Sequence, residues 1–285
     1  KNILKQISEK HIGTDRNNFD SLVKLAEYAN NHLNCSLKEV TQEQALQYLS
    51  DRSSDHSQSS LNKDTLAFQR MYQGAKVSDP LSKNDRLPKI KIRCRTKKRF
   101  LDVIHKKQIE IVSQHQTAKF SFSTQIAASA GLRAHELLTL QRFDERSPSE
   151  RDKYLEAKEL KFKGLEGEKY TVKGKGGLIR EVIIPNHLAE KLEQHRLDQP
   201  QRVVDREINY ETRYDIPGGQ KWSNSFTKAA ERSLGWTTGA HGLRHTYAQE
   251  RMNDLQYTGK YEIALAIVSQ ELGHFRPDIT LIYLR

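Results

Sequence analysis

The run LPKIKIRCRTKKRF at positions 87–100 constrains the fold most, because the residue patterns differ on its two sides. It contains seven lysines and arginines and no acidic residue. Such a run is typical either of a solvated strand or loop, or of an extended linker whose charges follow a phosphate backbone and release its counterions. We therefore predict two domains joined by a basic linker, with Lys97, Lys98 and Arg99 as candidate phosphate contacts.

The charge composition indicates a polyanionic partner. The 285-residue chain has 47 Lys and Arg against 36 Asp and Glu, a formal net charge of +11. Nucleic acid is the commonest partner of so basic a chain, although ribosome-associated and membrane-surface proteins share this balance. No apolar run of about 18 residues and no signal peptide occurs, so no membrane partner is expected. Two cysteines without CxxC spacing predict a cytoplasmic protein with neither a disulfide framework nor a metal site.

Helical spacing dominates before the linker. In the first long predicted helix, the apolar residues that recur on one face, and that we expect to be buried, are Phe19, Leu22, Val23, Ala26 and Leu33. A second helix is predicted to begin at Thr41, whose spacing to Gln44 is that of a capping box. A third is predicted to end near Gly74. Residues 1–86 are therefore expected to form an all-α domain.

Residues 101–285 have a mixed pattern. One helix is predicted to end at Gly131 with a left-handed cap, and strand-like segments flanking KGKGG predict a hairpin with a glycine turn. Further helices are predicted near positions 186–197, 221–234, 241–254, 261–272 and 278–284. Strands and helices do not alternate regularly, so the expected fold is mainly α with a small antiparallel β-sheet. The charged residues 141–168 have no predicted role.

Two motifs in this second domain carry the first candidate functional residues. GLRAHELLTL places Arg133 at the start of a helix, with Glu136 in its first turn, where it could orient nearby groups. KGKGG places Lys175 at the hairpin tip, from which an ammonium could reach a leaving oxygen, and Lys173 is the alternative. The GxxxxGK[ST] spacing of a nucleotide-binding loop is absent. Taken singly, each of these is more typical of an ordinary surface side chain.

Two further motifs lie near the end of the chain. In HGLRHTYAQE, His241 and Arg244 share one face of an opening helical turn, where backbone N–H groups favour an anion. A zinc-protease motif would need a glutamate where Gly242 stands, so no metal is expected. In ELGHFRPDITLIYLR, a helix ends before His274, and Tyr283 follows nine positions later.

Together these residues suit phosphoryl transfer without a metal ion. Two arginines, Arg133 and Arg244, can clamp both nonbridging oxygens of a phosphodiester. A tyrosine hydroxyl, whose unperturbed pKa is about 10, needs such cationic surroundings to become a usable nucleophile. Tyr283 is therefore the candidate nucleophile. Its phosphotyrosyl bond would keep the energy of the phosphodiester, so that strands could be rejoined without ATP or another cofactor.

In their order and spacing, GLRAHELLTL, VKGKGGLIREVIIP, HGLRHTYA and LGHFRPDITLIYL resemble the motifs of the tyrosine recombinase (phage integrase) family. The resemblance implies six residues that act on the scissile phosphate: Arg133, Lys175, His241, Arg244, His274 and Tyr283. Tyr283 would form a 3′-phosphotyrosine, the arginines would hold the phosphate and the histidines would assist. Lys175 would be the general acid, with Glu136 as a support behind the site. Lys173 and Arg180, on the hairpin strands, are further candidate DNA contacts.

The resemblance also implies a domain organisation. Residues 1–86 would be a core-binding domain of the SAM-like type, 87–100 the linker and 101–285 the catalytic domain, closing around duplex DNA as a C-shaped clamp. Four protomers would exchange strands between two specific DNA sites through a Holliday junction, with accessory DNA-bending proteins as further partners. The expected role is in a mobile genetic element, at the prokaryotic nucleoid. Relatives usually continue past the tyrosine and can carry an arm-type domain in front, so this chain is expected to be a fragment.

Two other functions remain open at this stage. A type IB topoisomerase uses similar chemistry on one duplex, without a partner protomer and with little sequence preference. A non-catalytic DNA-binding protein with the same fold is the second alternative, which the presence of every expected polar residue disfavours. Covalent trapping of DNA on Tyr283 separates the enzymes from the binding protein, and pairing of two DNA sites separates the recombinase from the topoisomerase.

Overall fold

The computed structural model describes residues 2–8, 12–92, 103–150, 155–256, 260–274 and 276–284. At positions 2, 12, 155, 156 and 175 it describes the backbone alone. The chain divides into two compact units, Lys1–Arg99 and Phe100–Arg285. Among the residues described, no helix is both long and apolar enough to span a bilayer. The linker residues Lys97, Lys98 and Arg99 lie outside the described ranges.

The first unit is helical, as the sequence predicts. Its helices are α1 (Asn2–Ile7), α2 (Ile12–Tyr28), α3 (Gln42–Asp51) and α4 (Gln58–Gly74), and a π-helical turn, Ala29–Leu33, extends α2. The predicted capping box starts α3, because the Gln44 N–H donates to Thr41 Oγ1 (3.2 Å) and the Thr41 N–H donates to Gln44 Oε1 (2.9 Å). These bonds satisfy two N–H groups that would otherwise be unpaired at the helix start.

The buried face of α2 differs from the predicted one. Leu22, Leu25 and Ala29 lie in the core of this unit, whereas Phe19 and Val23 are 43% and 36% exposed. Spacings of three and four residues put the three buried positions on one stripe, and Phe19 and Val23 lie to one side of it. Which stripe is buried depends on how α2 packs on α4, and the sequence periodicity does not specify that contact.

The second unit begins with α5 (Lys106–Gln114) and α6 (Ala118–Ser129), followed by a 3-10 helix, Ala134–Thr139. An antiparallel sheet comes next, with the order β1 (Gln141–Arg142), β2 (Glu168–Lys173) and β3 (Ile179–Ile184), and α7 (Leu155–Glu159) lies between β1 and β2. A turn at Lys175–Gly177 joins β2 to β3, so that Val172 pairs with Arg180. This is the hairpin that the sequence predicts at KGKGG.

A second hairpin was not predicted. Helix α8 (Asn186–Gln194) ends three residues before the predicted 197, and the chain then forms β4 (Arg196–Asp205) and β5 (Ile208–Tyr214). The two turn residues, Arg206 and Glu207, have φ angles of 50° and 66°. Two positive φ angles in a two-residue loop are typical of a type I′ turn, which usually contains Asn-Gly. Because Arg-Glu is not a typical type I′ turn sequence, this hairpin is not predicted from the sequence.

The last helices of the unit lie close to their predicted positions. Helices α9 (Gly219–Leu234), α10 (Gly242–Gln256) and α11 (Tyr261–Glu271) agree with the predicted bounds to within two residues at each end. The predicted helix 278–284 is divided into α12 (Pro277–Thr280) and a 3-10 turn, Leu281–Leu284. The described chain is therefore mainly α with small antiparallel sheets, which confirms the predicted fold class.

One apolar core joins the elements that carry the candidate site. Trp222 and Phe226 of α9 share this core with Val172 and Ile184 of the sheet and with Leu243 of α10. Burial of side chains of this size contributes about 1.5–3 kcal/mol each. The core thereby fixes the relative positions of the sheet and the start of α10.

We expect Gly131→Ala to destabilise the second unit by about 2–5 kcal/mol. Gly131 has a φ of +56°, and a Cβ there would lie 2.8 Å from Cδ1 of the buried Tyr247 ring. Gly235→Ala is the control, because Gly235 has a φ of +77° but no atom within 4 Å of a Cβ. Gly235→Ala should lower the free energy of unfolding by about 1–2 kcal/mol, the effect of backbone strain alone. Urea denaturation measures both variants, and equal losses would contradict the clash with Tyr247.

Candidate active site

The turn after α6 positions Arg133. Arg133 is the N-cap residue of the 3-10 helix, and Glu136 lies three positions further on. Glu136 is fully buried and accepts two bonds from Arg133, one from its backbone N–H to Oε2 (2.8 Å) and one from Nη1 to Oε1 (2.7 Å). One carboxylate therefore holds both the backbone and the guanidinium of Arg133.

The first turn of α10 brings Arg244 into the same cluster. Its side chain is fully buried, and Nη1 lies 3.7 Å from Glu136 Oε2. Nη1 also donates to the Gly131 carbonyl, and Nη2 donates to the Leu272 carbonyl at 2.9 Å. Burial and the nearby Arg133 lower the pKa of Arg244 to about 9, so its guanidinium is still charged at neutral pH.

Arg180 does not have the exposed position that was predicted for it. We predicted a DNA contact, but the residue is only 2% exposed, and its Nη2 donates to Glu136 Oε2 at 2.7 Å. Arg180 shares the inward face of β3 with Val182 and Ile184, since alternate residues of a strand point to the same side. The period-two pattern of LIREVII is the sequence signal that puts Arg180 on this inward face. Arg180 belongs to the interior of the site and does not lie on an exposed surface.

The cluster has an excess of positive charge. Three guanidiniums, those of Arg133, Arg180 and Arg244, surround the single carboxylate of Glu136. Burial alone would raise the pKa of Glu136, but the three arginines hold it well below its usual range, so the carboxylate is ionised. Among the described residues, no group accepts a hydrogen bond from the buried Nε of Arg244. Two uncompensated positive charges and an unused N–H donor favour an oxyanion as the ligand of this cluster.

His274 also contacts Arg244. Its Nε2 lies 3.3 Å from Arg244 Nη2, and its Nδ1 lies 3.2 Å from Oγ1 of the buried Thr280. Burial, Arg244 and Arg133 lower the pKa of His274 to about 3. The imidazole is therefore neutral at physiological pH. Since a guanidinium only donates, Nε2 is the acceptor, and the proton resides on Nδ1 and faces Thr280.

We expect the pH dependence of stability to reveal this neutral His274. Below pH 6.5 the unfolded chain takes up a proton at His274, whereas the folded protein does so only near pH 3. Stability is therefore lost as the pH falls through this window. From pH 7 to pH 5, the wild type should lose about 1–2 kcal/mol more unfolding free energy than His274→Gln. Urea denaturation at the two pH values measures this difference, and equal losses would contradict the burial of a neutral imidazole.

Tyr283 completes the constellation. Its side chain is only 8% exposed, its hydroxyl lies 3.1 Å from His241 Nε2, and Arg244 Cζ lies 5.6 Å from its ring centroid. The ring also packs against His274, and His245 lies 4.6 Å away between centroids. No role was predicted for His245, and this contact adds it to the surroundings of Tyr283. Its spacing of four residues from His241, one helical turn, was the available signal.

The hairpin turn passes beside the arginine cluster. A Cβ atom at Gly174 would lie 3.3 Å from Glu136 Oε1 and 3.7 Å from Arg133 Nη1. The backbone of Lys175 follows directly, and its side chain lies outside the described part of the structure. Lys173 is exposed at the end of β2. The structure thus brings together the backbone of the predicted lysine turn and six predicted side chains: Arg133, Glu136, His241, Arg244, His274 and Tyr283.

A tyrosine hydroxyl beside a cluster of arginines and histidines, on a mainly α unit with a small sheet, defines a protein with the fold of the tyrosine recombinases. Three solved structures share it. XerH site-specific recombinase bound to difH substrate has a TM-score of 0.56 at 18% identity and covers 95% of this chain and 75% of that chain. The Tn1549 transposon integrase with transposon right end DNA has a TM-score of 0.58 at 14% identity, over 100% and 95% of the two chains. A lambda integrase dimer bound to a COC′ core site has a TM-score of 0.55 at 12% identity, over 98% and 90%.

These similarities establish the fold. No protein-family model matches the sequence, and no curated protein is significantly similar to it. The resemblance predicted from the four motifs is thus confirmed at the level of the fold. What this chain does depends on its own site residues.

Proposed function

We propose that this protein is a site-specific DNA recombinase that cuts and rejoins DNA through a 3′-phosphotyrosine on Tyr283. The observation that carries the proposal is the cluster of three guanidiniums around one buried carboxylate, with Tyr283 packed against Arg244. Such a cluster favours a phosphate, and the Tyr283 ring lies over Arg244, one of its members. The DNA complexes of XerH, the Tn1549 integrase and lambda integrase, which share the fold, support DNA as the partner.

In the first step the Tyr283 oxygen attacks phosphorus, and the bond from phosphorus to the 5′ oxygen breaks. His241 Nε2, 3.1 Å from the hydroxyl, is placed to accept the phenolic proton. Lys175 supplies a proton to the leaving 5′ oxygen from the hairpin turn. Attack of a 5′-hydroxyl on the phosphotyrosine then reverses these events and restores the phosphodiester. The number of phosphoester bonds does not change, so the reaction needs no ATP.

The arginines stabilise the charge that grows on the nonbridging oxygens. Arg133 and Arg244 present charged N–H donors that are already fixed by Glu136 and by backbone carbonyls, so little reorganisation is needed in the transition state. His274 is neutral and fixed by Thr280, and it contributes a hydrogen bond rather than a charge. Because the Tyr283 ring lies over Arg244, phosphate binding displaces the ring toward the attacking position.

The finer parts of the proposal follow from the resemblance. Four protomers exchange strands between two DNA sites through a Holliday junction, in the service of a mobile genetic element in the cytoplasm. Lys97, Lys98 and Arg99 of the linker contact the DNA backbone, as does the exposed Lys173. These contacts steer and hold the duplex, and the arginine cluster carries the chemistry.

Covalent trapping tests the proposal. The chain is incubated with a pool of nicked duplexes of randomised sequence. After cleavage, the nick lets the short fragment that carries the 5′-hydroxyl diffuse away, so that the phosphotyrosine accumulates. Sequencing of the DNA recovered from denatured adducts should yield one recurring site. A plasmid with two copies of that site should then recombine. Plasmid relaxation without recombination would instead assign a topoisomerase, and DNA binding without any adduct would assign a non-catalytic protein.

A further inference from the structure

Arg180 lies within the arginine cluster, and all three of its guanidinium nitrogens donate to protein acceptors. Arg244 is equally buried, with a side chain that is 0% exposed compared with 1% for Arg180, so burial alone does not separate their roles. The difference is that no described group accepts a hydrogen bond from Arg244 Nε. We therefore expect Arg180 to act on a phosphate through the groups that it holds.

Two of those contacts are to backbone turns. Arg180 Nη1 donates to the Glu271 carbonyl at 2.6 Å, and Nη2 donates to the Gly131 carbonyl at 3.3 Å. The first carbonyl ends α11, just before His274, and the second follows α6, just before Arg133. A Cβ at Gly273 would lie 2.7 Å from Arg180 Cδ, so this turn packs directly on the side chain. One guanidinium therefore ties together the two turns that present His274 and Arg133.

The third contact is to the carboxylate of the cluster. Arg180 Nη2 donates to Glu136 Oε2 at 2.7 Å, and Nε lies 3.4 Å from Oε1. Glu136 in turn accepts both bonds from Arg133. Arg180 also stands on β3, the strand that follows the Lys175 turn. It therefore joins the hairpin to the residues that hold the phosphate.

We propose that Arg180 is a positioning residue, which fixes Glu136 and the turns before Arg133 and His274 and couples the Lys175 hairpin to them. The proposal rests on the proposed function, because it assigns Arg180 a part in that reaction. A positional error of about 1 Å in a catalytic group can reduce the rate by about 10²-fold. Loss of Arg180 should therefore reduce cleavage much more than DNA binding.

The charges that face Glu136 provide a second readout. They are Arg133 on its own 3-10 helix, Arg180 on β3 and Arg244 on α10, with His135 and His274 nearby. Removal of Arg180 takes away one of the three cations, so the pKa of Glu136 rises and protonation begins at a higher pH. A protonated Glu136 no longer holds Arg133 by an ionic bond. The acid limb of the cleavage rate should consequently move to higher pH.

The test compares Arg180→Gln and Arg180→Lys with the wild type, using the nicked duplex recovered by covalent trapping as the probe. For Arg180→Gln we expect single-turnover cleavage to fall by about 10²-fold, with a Kd within about threefold and the acid limb at higher pH. Arg180→Lys keeps the charge, so its acid limb should match the wild type while its rate is intermediate. Should Arg180→Gln not fold, cleavage by Arg180→Lys at the wild-type rate would overturn the proposal.

Arg146→Gln is the matched control. Arg146 also ties the sheet to the 3-10 helix, through bonds to the Thr171 and Thr139 carbonyls, but it makes no contact with Glu136. This variant should lose stability without a shift of the acid limb. Equal loss of cleavage and binding in Arg180→Gln, or an unmoved acid limb, would reduce Arg180 to a structural arginine.

A separate measurement distinguishes failure of this proposal from failure of the proposed function. If the wild type forms no adduct, the proposed function fails, and Arg180 is judged on the free protein. Carbon-13 NMR then follows the titration of the Glu136 carboxyl in the wild type and in the Arg180 variant that folds. Titration of Glu136 at higher pH in Arg180→Gln, and not in Arg180→Lys, would support the positioning role. Unchanged titration in Arg180→Gln, or equal shifts in both variants, would overturn it.

Discussion

Tyr283→Phe is expected to abolish the covalent protein–DNA adduct and to leave DNA affinity unchanged. The substitution removes only the oxygen that lies 3.1 Å from His241 Nε2, and it retains the ring that packs against His274 and His245. Under the proposed function, binding of the duplex would depend on the phosphate contacts of arginines and lysines, whereas the covalent bond would require that oxygen. Denaturing gels detect the adduct on the trapped nicked duplex, and equilibrium titration with the same duplex gives the Kd.

Tyr261→Phe is the matched control for this variant. Tyr261 is a 45% exposed tyrosine in the same unit, and its loss should leave the adduct intact. Persistence of the adduct in Tyr283→Phe would exclude Tyr283 as the nucleophile. Loss of the adduct in both variants would show that the assay responds to a general defect and not to the nucleophile.

Arg244→Lys is expected to lower the single-turnover cleavage rate by about 10²–10³-fold, with a much smaller change in Kd. Lysine keeps a positive charge but loses the planar fork. Its single nitrogen cannot occupy the positions of both Nη1 and Nη2, from which Arg244 donates to the Gly131 and Leu272 carbonyls. Under the proposed function, the donor that is lost would act most strongly in the transition state, where charge accumulates on the nonbridging oxygens. Quench-flow cleavage of the nicked duplex measures the rate.

Arg251→Lys provides the control within the same helix. Arg251 is also buried in α10, but it pairs with Glu271 and contacts none of the arginines of the cluster. It should retain most of the cleavage activity while losing stability. If cleavage and affinity fell by the same factor in Arg244→Lys, Arg244 would act in ground-state binding and not in the transition state.

Local sequence patterns predicted the structure correctly where the contacts join residues close together in the chain. The capping box at Thr41 and Gln44 formed as predicted, because its bonds span three residues. The contact of Arg133 with Glu136 also spans three residues, and it agrees with the expectation that Glu136 orients a nearby group. The glycine-rich turn produced the predicted hairpin between β2 and β3 for the same reason.

Predictions failed where the local sequence was compatible with more than one structure. Phe19 and Val23 belong to an apolar stripe of α2, but α4 packs on the adjacent stripe. The hairpin of β4 and β5 turns on Arg206 and Glu207, which contain no glycine to mark a positive φ. In both places the surrounding packing outweighs the intrinsic preference of the residues.

The sequence by itself determined most of the helical segments and the β2–β3 hairpin, and it supplied the candidate site residues, because helical period, turn glycines and motif spacing are properties of residues close in the chain. Only the tertiary structure decided which of these side chains meet and which of the cations are buried. Arg180 meets Glu136 across 44 positions, Arg244 meets Gly131 across 113, and Tyr283 meets His241 across 42. Contacts at such separations form when whole helices and strands pack on a common core, and that packing buries Arg180 while leaving Arg133 accessible.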